Sequence, residues 1–157
     1  MANYGTEAGL AAYAASVGAT VPAGAALPAL VRASAYLDGR YGRRFVGTRA
    51  GGYAQPLAWP RDGAVTREGF AVPADAVPAA IENATYEAAL RELAAPGSLS
   101  PDFVAAEQVK REKVGPLETE YRDVTALGAD AARPVVTVID EMLADLLCAP
   151  VPAVLVV

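Results

Sequence analysis

The stretch from Ala76 to Ala94 restricts the fold more than any other part of this chain. Drawn as a helix behind Asp75 as N-cap, it spreads Val77, Ile81, Ala84, Tyr86, Ala88, Leu90 and Leu93 around most of its circumference. Only a narrow polar stripe remains, made of Asn83, Glu87 and Arg91 and flanked by Glu82 and Glu92. A helix apolar on so many sides needs neighbours on several of them, so the pattern predicts the central member of a bundle. Pro78 falls in its first turn, where a missing N–H costs little, and Pro96 with Gly97 ends it.

Three other segments can supply those neighbours. From about Thr6 to Val17, the residues Leu10, Tyr13, Ala14 and Val17 recur at helical spacing, with Thr6 as N-cap and Gly18 as stop. A second helix begins near Pro28 and carries Leu30, Ala33, Ser34, Leu37 and Tyr41 on one stripe that Leu27 and Val31 widen. It ends between Gly39 and Gly42. The last runs from Pro134 to about Leu147, with Val135, Val138, Ile139, Met142, Leu143 and Leu146 on its buried face. Thr137, Asp140, Glu141 and Asp145 form its wet face. The fold class that follows is mainly α, a small bundle of about four helices.

Between the second and third helices, residues 46–74 show no periodicity and are rich in Gly, Pro, Arg and aromatics. An irregular loop of that length in a compact domain is either functional or pinned by its own side chains. Trp59 and Phe70 are the pins on offer, with Leu57 beside Trp59, and Trp59 is the expected loop anchor. After the third helix the pattern turns to period two on either side of Gly115 and Pro116. Setting Val114 opposite Leu117 puts Lys113 opposite Glu118 and Arg111 opposite Glu120 on one side of a ribbon, and Lys110 opposite Tyr121 on the other. Each opposite-charge pair is worth a few tenths of a kcal/mol to about 1 kcal/mol, so a protruding β-hairpin near 107–123 is expected. Pro116 does not suit a primed two-residue turn and argues for a wider loop in the same register. A lone hairpin is marginal in water and must lean on its own bundle or on a neighbour. The expected organisation is one helical domain over 1–148, including loop 46–74 and the hairpin, followed by an extended apolar tail, 149–157. That tail ends in Val154, Leu155, Val156 and Val157, which need cover, either from the chain's own bundle or by adding as a strand to a partner's edge.

Composition narrows function more than it narrows the fold. The 157 residues contain no His and one Cys, Cys148. Those counts remove Ser-His-Asp and Cys-His catalysis, imidazole metal sites, an intramolecular disulfide and Cys-rich zinc sites. Thirteen basic against eighteen acidic residues give a net charge of −5, so contact with nucleic acid or anionic lipid requires a local basic patch. No run reaches the about 18–20 apolar residues of a membrane span. Residues 1–17 lack the basic start and continuous apolar run of a signal peptide, and an intracellular, soluble product without membrane contact is expected. The carboxylate pairs Glu118/Glu120 and Asp140/Glu141 read as surface charge, because nothing in the pattern implies an apolar pocket around them. Gly39-Arg40-Tyr41-Gly42 follows no strand and Gly51-Gly52 precedes no Lys-Ser or Lys-Thr, so neither is a phosphate loop. Cys148 lies at a helix C-terminus, where the dipole disfavours a thiolate, and reads as a small core residue. No catalytic residue, cofactor or metal is expected.

One stretch remains. Arg40, Arg43, Arg44, Arg49, Arg61 and Arg67 are interleaved with Tyr41, Phe45, Tyr53 and Trp59. Such a mixture can hold a single strand through phosphate contacts and base stacking. The plainer alternative is that the arginines pair with acidic residues across a subunit or partner interface.

Three blocks carry a family resemblance: Tyr36-Leu37-Asp38-Gly39-Arg40-Tyr41-Gly42-Arg43-Arg44-Phe45, then Leu57-Ala58-Trp59-Pro60-Arg61, then Val109-Lys110-Arg111-Glu112-Lys113-Val114-Gly115-Pro116. In order and spacing, from about Tyr4 to Leu147, they resemble the head–tail connector (adaptor or head-completion) proteins of tailed phages and gene transfer agents. Members of this branch are often labelled DnaT-like single-stranded DNA-binding proteins. The resemblance implies a helical bundle assembled as a ring, usually a dodecamer, in the neck of a virion at the portal vertex, made in the host cytoplasm. Its partners would be the portal protein, a stopper or tail-terminator protein, further copies of itself, and the packaged double-stranded DNA passing through its channel. There would be no reaction and no cofactor. In such a ring the candidate contacts are Arg40, Arg43, Arg44 and Arg61, the hairpin's Lys110, Arg111, Lys113, Glu118 and Glu120, and the tail's Val154, Leu155, Val156 and Val157.

Overall fold

The computed structural model describes residues 2–100, 111–114, 117–120 and 136–148, the two four-residue segments by their backbone. Among these residues the protein is a small, mainly α domain with four helices: α1 (Glu7–Ser16), α2 (Ala26–Tyr41), α3 (Ala79–Ala94) and α4 (Thr137–Leu143). A 3-10 turn, Ala144–Leu146, prolongs α4. The helix α3 packs against all three others, most extensively against α2, so the segment expected at the centre of the bundle lies there. No helix among the described residues is long and apolar enough to cross a membrane.

α3 begins at Ala79, not at Ala76. Pro78 holds an extended backbone (φ −59°, ψ 143°), and a residue that precedes proline is itself kept out of the helical region, so Val77 cannot start the helix. Asp75 therefore caps nothing. Leu10, Leu30, Leu37, Ile81, Ile139 and Leu143 are fully buried, each contributing about 1.5–3 kcal/mol. Three residues expected on buried faces are exposed instead: Val17 (53%), Leu27 (47%) and Val138 (37%). Val17 lies beyond the last turn of α1, and Leu27 and Val138 sit beside the one stripe each short helix turns to its neighbours. Cys148 is exposed too, which corrects its reading as a core residue. The backbone is extended at Leu147 (φ −104°, ψ 134°), and successive side chains of an extended chain point to opposite sides. Leu147 thus turns inward and Cys148 outward.

Two contacts fix how the helices meet. α1 crosses α3 at Gly9, where a Cβ would overlap the hydroxyl of Tyr86. That hydroxyl accepts the Thr6 N–H (3.2 Å), while the Thr6 side chain caps α1 by accepting from Gly9 N–H (3.0 Å). Between α2 and α3, Glu92 leaves the expected polar stripe and is 6% exposed. Its carboxylate accepts from Arg32 Nη1 (2.7 Å) and from Gly97 N–H (3.0 and 3.1 Å), tying the end of α3 to α2.

Loop 46–74 holds two short strands, β1 (Thr48–Arg49) and β2 (Arg61–Asp62), paired antiparallel with Thr48 opposite Asp62. Trp59 is buried at 1% exposure, with its ring edge-on to that of Phe45 (centroids 5.8 Å apart, 69°). Phe70, the other expected pin, is 66% exposed. It closes a tight turn in which Thr66 N–H donates to Phe70 O (2.9 Å) and Phe70 N–H to Thr66 Oγ1 (3.1 Å), and the turn carries the ring outward. Further on, β3 (Arg111–Val114) and β4 (Leu117–Glu120) form a two-stranded antiparallel sheet of their own. Its Cα partners are Val114 and Leu117, Lys113 and Glu118, Arg111 and Glu120, the register read from the sequence. The turn at 115–116, Lys110, Tyr121, Pro134, Val135 and the tail with Val154, Leu155, Val156 and Val157 lie outside the described residues.

Trp59→Ala should cost roughly 3–5 kcal/mol of unfolding free energy in urea titrations, because the cavity lies where loop and bundle meet. Phe70→Ala should change it by no more than about 0.5 kcal/mol.

Candidate nucleic-acid interface

Two charged side chains seat the loop before any surface can form on it. Asp38, on α2, accepts the Tyr4 hydroxyl on Oδ1 (2.6 Å) and the Ala58 N–H on Oδ2 (2.9 Å). The same tyrosine oxygen accepts from Trp59 N–H (3.0 Å), and Tyr4 N–H donates to Ser34 Oγ (2.9 Å). Burial raises the Asp38 carboxyl above the ordinary carboxylate range, although the bonds from Tyr4 and Ala58 pull the other way. Burial also raises the Tyr4 phenol, which keeps it protonated as a donor.

Arg61 does the converse for carbonyls. Its guanidinium donates to Val46 O (Nε, 2.7 Å), Ala58 O (Nη1, 3.2 Å), Phe45 O (Nη2, 3.3 Å) and Gly47 O (Nη2). Burial pushes its pKa down, with Arg49 adding repulsion, but guanidinium starts so high that the group stays charged. At 8% exposure Arg61 holds its own backbone, and the partner contact expected of it gives way to that role. Gly47 completes the clamp: at φ +73° a Cβ there would lie 2.5 Å from Asp62 O and 2.7 Å from Ala64 N.

The other arginines face outward. Arg43, Arg44, Arg49 and Arg67 are exposed and Arg40 is half-buried, and none of them forms an ion pair among the described residues. Their expected aromatic companions mostly turn inward. Tyr41, Phe45 and Trp59 are buried in a run of ring contacts, and Tyr53 alone of the four stands fully in solvent. Tyr53 and the exposed Phe70 are the rings left for stacking.

Arg40, Arg44 and Arg67 line one open pocket of about 240 Å³ together with Asp140, Leu147 and Cys148. Backbone bonds hold its walls: Cys148 N–H donates to Arg44 O (2.7 Å), Val46 N–H to Leu146 O (3.0 Å) and Arg67 N–H to Asp145 O (3.0 Å). Arg40 and Arg44 flank the C-terminal end of α2, whose partial negative charge favours arginines at this place. No group of three or more His, Cys, Asp or Glu side chains suited to a metal occurs among the described residues.

Against this geometry, a family model described as "Putative DnaT-like ssDNA binding protein" matches residues 2–156. The chain belongs to that family. No curated protein and no solved structure matches it. The match to the DnaT-like family takes in all four helices, the arginine segment and the hairpin. Of the interface residues named from the sequence, this DnaT-like chain brings Arg40 and Arg44 together, leaves Arg43 beside them on the surface, and buries Arg61. The side chains of Lys110, Arg111, Lys113, Glu118 and Glu120 lie outside the description. Asp38 and Tyr4 were missed. A carboxylate one turn after the buried Ser34, on the edge of an apolar stripe, was the available signal.

Arg61→Lys should lower stability by roughly 2–4 kcal/mol in chemical denaturation, since an ammonium cannot meet four carbonyls spread around a planar fork. A pH series tests Asp38. Between the ordinary carboxylate value and its raised one, the folded chain binds more protons here than the unfolded chain, so this group's contribution falls as pH rises through that interval. Asp38→Asn should remove that part of the slope of unfolding free energy against pH. An unchanged slope would mean that the carboxyl titrates as it does in water.

Proposed function

We propose that this chain binds single-stranded DNA without sequence preference, through the outward arginines of residues 40–67, with Tyr53 and Phe70 as stacking rings. The observation that carries the reading is the set of five arginines with no ion-pair partner among the described residues, in a chain whose net charge is −5. An acidic protein that leaves five guanidiniums unpaired on one stretch has a local field opposite to its overall one, as backbone binding requires. The family description points the same way. Arginine suits the task because its planar fork meets phosphate oxygens two at a time. Exposed rings add stacking worth about 1–3 kcal/mol per base, indifferent to which base it is.

Titrating labelled oligothymidylate across a range of salt tests this. Binding should weaken linearly in log–log form, with about 0.7 of slope per phosphate neutralised, and replacing Arg43 and Arg49 together by Gln should reduce the slope by about 1.4. No measurable binding at low salt overturns the reading.

A second reading is a ring-forming adaptor beneath the portal of a tailed-phage or gene-transfer-agent particle. It rests on the three sequence blocks and on the hairpin, among the described residues a two-stranded sheet that a neighbouring copy would support. Its partners would be the portal protein, a stopper or tail terminator and the packaged duplex, and its work would be assembly alone. Electron cryomicroscopy of purified particles separates the two readings: density for this chain below the portal supports the adaptor, and its absence from the neck excludes it.

A further inference from the structure

We infer that the pocket between the end of α2 and residues 144–148 takes a terminal phosphomonoester, supplied by the end of a DNA strand or by a free mononucleotide, in preference to an internal phosphodiester. The inference deepens the single-strand-binding reading and rests on it for the strand end as the source.

The argument begins with convergence. A protein that tracks a strand spreads its cations along a groove, one for each singly charged phosphodiester. Here three arginines from two stations of the chain, Arg40 and Arg44 at the end of α2 and Arg67 in the long loop, line one pocket. Asp140 is the one carboxylate in the lining, so three positive charges against one leave a formal surplus of two. A phosphomonoester carries about 1.5 to 2 negative charges near neutral pH and three strong acceptor oxygens, whereas an internal diester carries one charge and two free oxygens. Surplus and donor number both match the monoester. The partial negative charge at the end of α2, about half a unit, leaves a surplus of about 1.5, still within the range of the monoester and above the single charge of the diester.

Size and rigidity agree. At about 240 Å³ the pocket has the volume of roughly eight liquid waters, room for a phosphate with its attached sugar. The backbone at Arg44 and Arg67 is already fastened, to Cys148 N–H and Asp145 O respectively, so little main-chain ordering is left for a ligand to supply. None of the three arginines has an ion pair to break among the described residues.

Cys148 provides a local readout, since it is the chain's one cysteine, is exposed, and lines the pocket. The experiment measures alkylation of Cys148 by iodoacetamide, followed by mass spectrometry, alongside binding of four probes. These are oligothymidylate with a terminal phosphate at either end, the same strand without one, a circular single strand, and free thymidine monophosphate. A terminal phosphate should tighten binding about tenfold and slow alkylation, and Arg67→Gln should abolish both differences, while the circular strand, which has no end, should lose only what one phosphate contact supplies, a salt slope smaller by about 0.7. If strands with and without terminal phosphate bind alike and protect Cys148 alike, the pocket proposal falls and the single-strand reading stands. If no strand binds but thymidine monophosphate protects Cys148 in the original chain and not in Arg67→Gln, the pocket stands and the single-strand reading falls. If nothing binds and nothing protects, both fall.

Discussion

One buried guanidinium, held by carbonyls and in no ion pair among the described residues, makes the irregular part of this domain possible. Backbone groups removed from water must find partners, and in loop 46–74 the two-residue ladder of β1 with β2 and scattered turn bonds leave carbonyls near Gly47 and Ala58 for a side chain to meet. Arg61 collects four carbonyls, three of them from consecutive residues, in the fixed geometry of a planar fork. Burying a charge is costly, and here charge-assisted hydrogen bonds offset the loss of water. Asp38 mirrors the arrangement by gathering a backbone N–H and a phenol. A cation takes the acceptors, an anion takes the donors, and the loop can then lie on the helices with Trp59 inside.

This division of labour shapes the surface. Within one arginine-rich stretch, the residue that follows Trp59 and Pro60 is absorbed by the fold, and those that follow Tyr41 or occupy the loop's outer positions stay in solvent. The aromatics divide as well, but mainly inward, so the outer face is richer in cations than in rings. A surface of that kind grips a phosphate backbone more firmly than it stacks on bases.

Much of the architecture was legible from periodicity. α3 stands at the centre because it is apolar nearly all round, and the β3–β4 register follows from alternating charge on either side of Gly115 and Pro116. Where the reading missed, backbone geometry had overridden side-chain pattern. Pro78 and the residue before it delay α3, and an extended backbone at Leu147 turns Cys148 out of the core. The loop was the least legible part because its order comes from long-range polar contacts. Asp38 meets Ala58 and Arg61 meets Phe45, pairings that leave no periodic trace, and arginines bound for the interior look no different in sequence from those bound for the surface. Phe70 and Trp59 likewise differ in fate for reasons of local turn geometry, not of residue type.

The short segment from Arg44 to Gly47 has a double allegiance. Three of its carbonyls, from Phe45 to Gly47, are grasped by Arg61, while Val46 N–H and Arg44 O bond the chain at Leu146 and Cys148. Cys148 and Trp59, the chain's one thiol and one indole, are therefore linked through the same few peptide units. The accessibility of the thiol and the emission of the indole report on the two sides of one short segment, Cys148 through its bond to Arg44 O and Trp59 through its ring contact with Phe45.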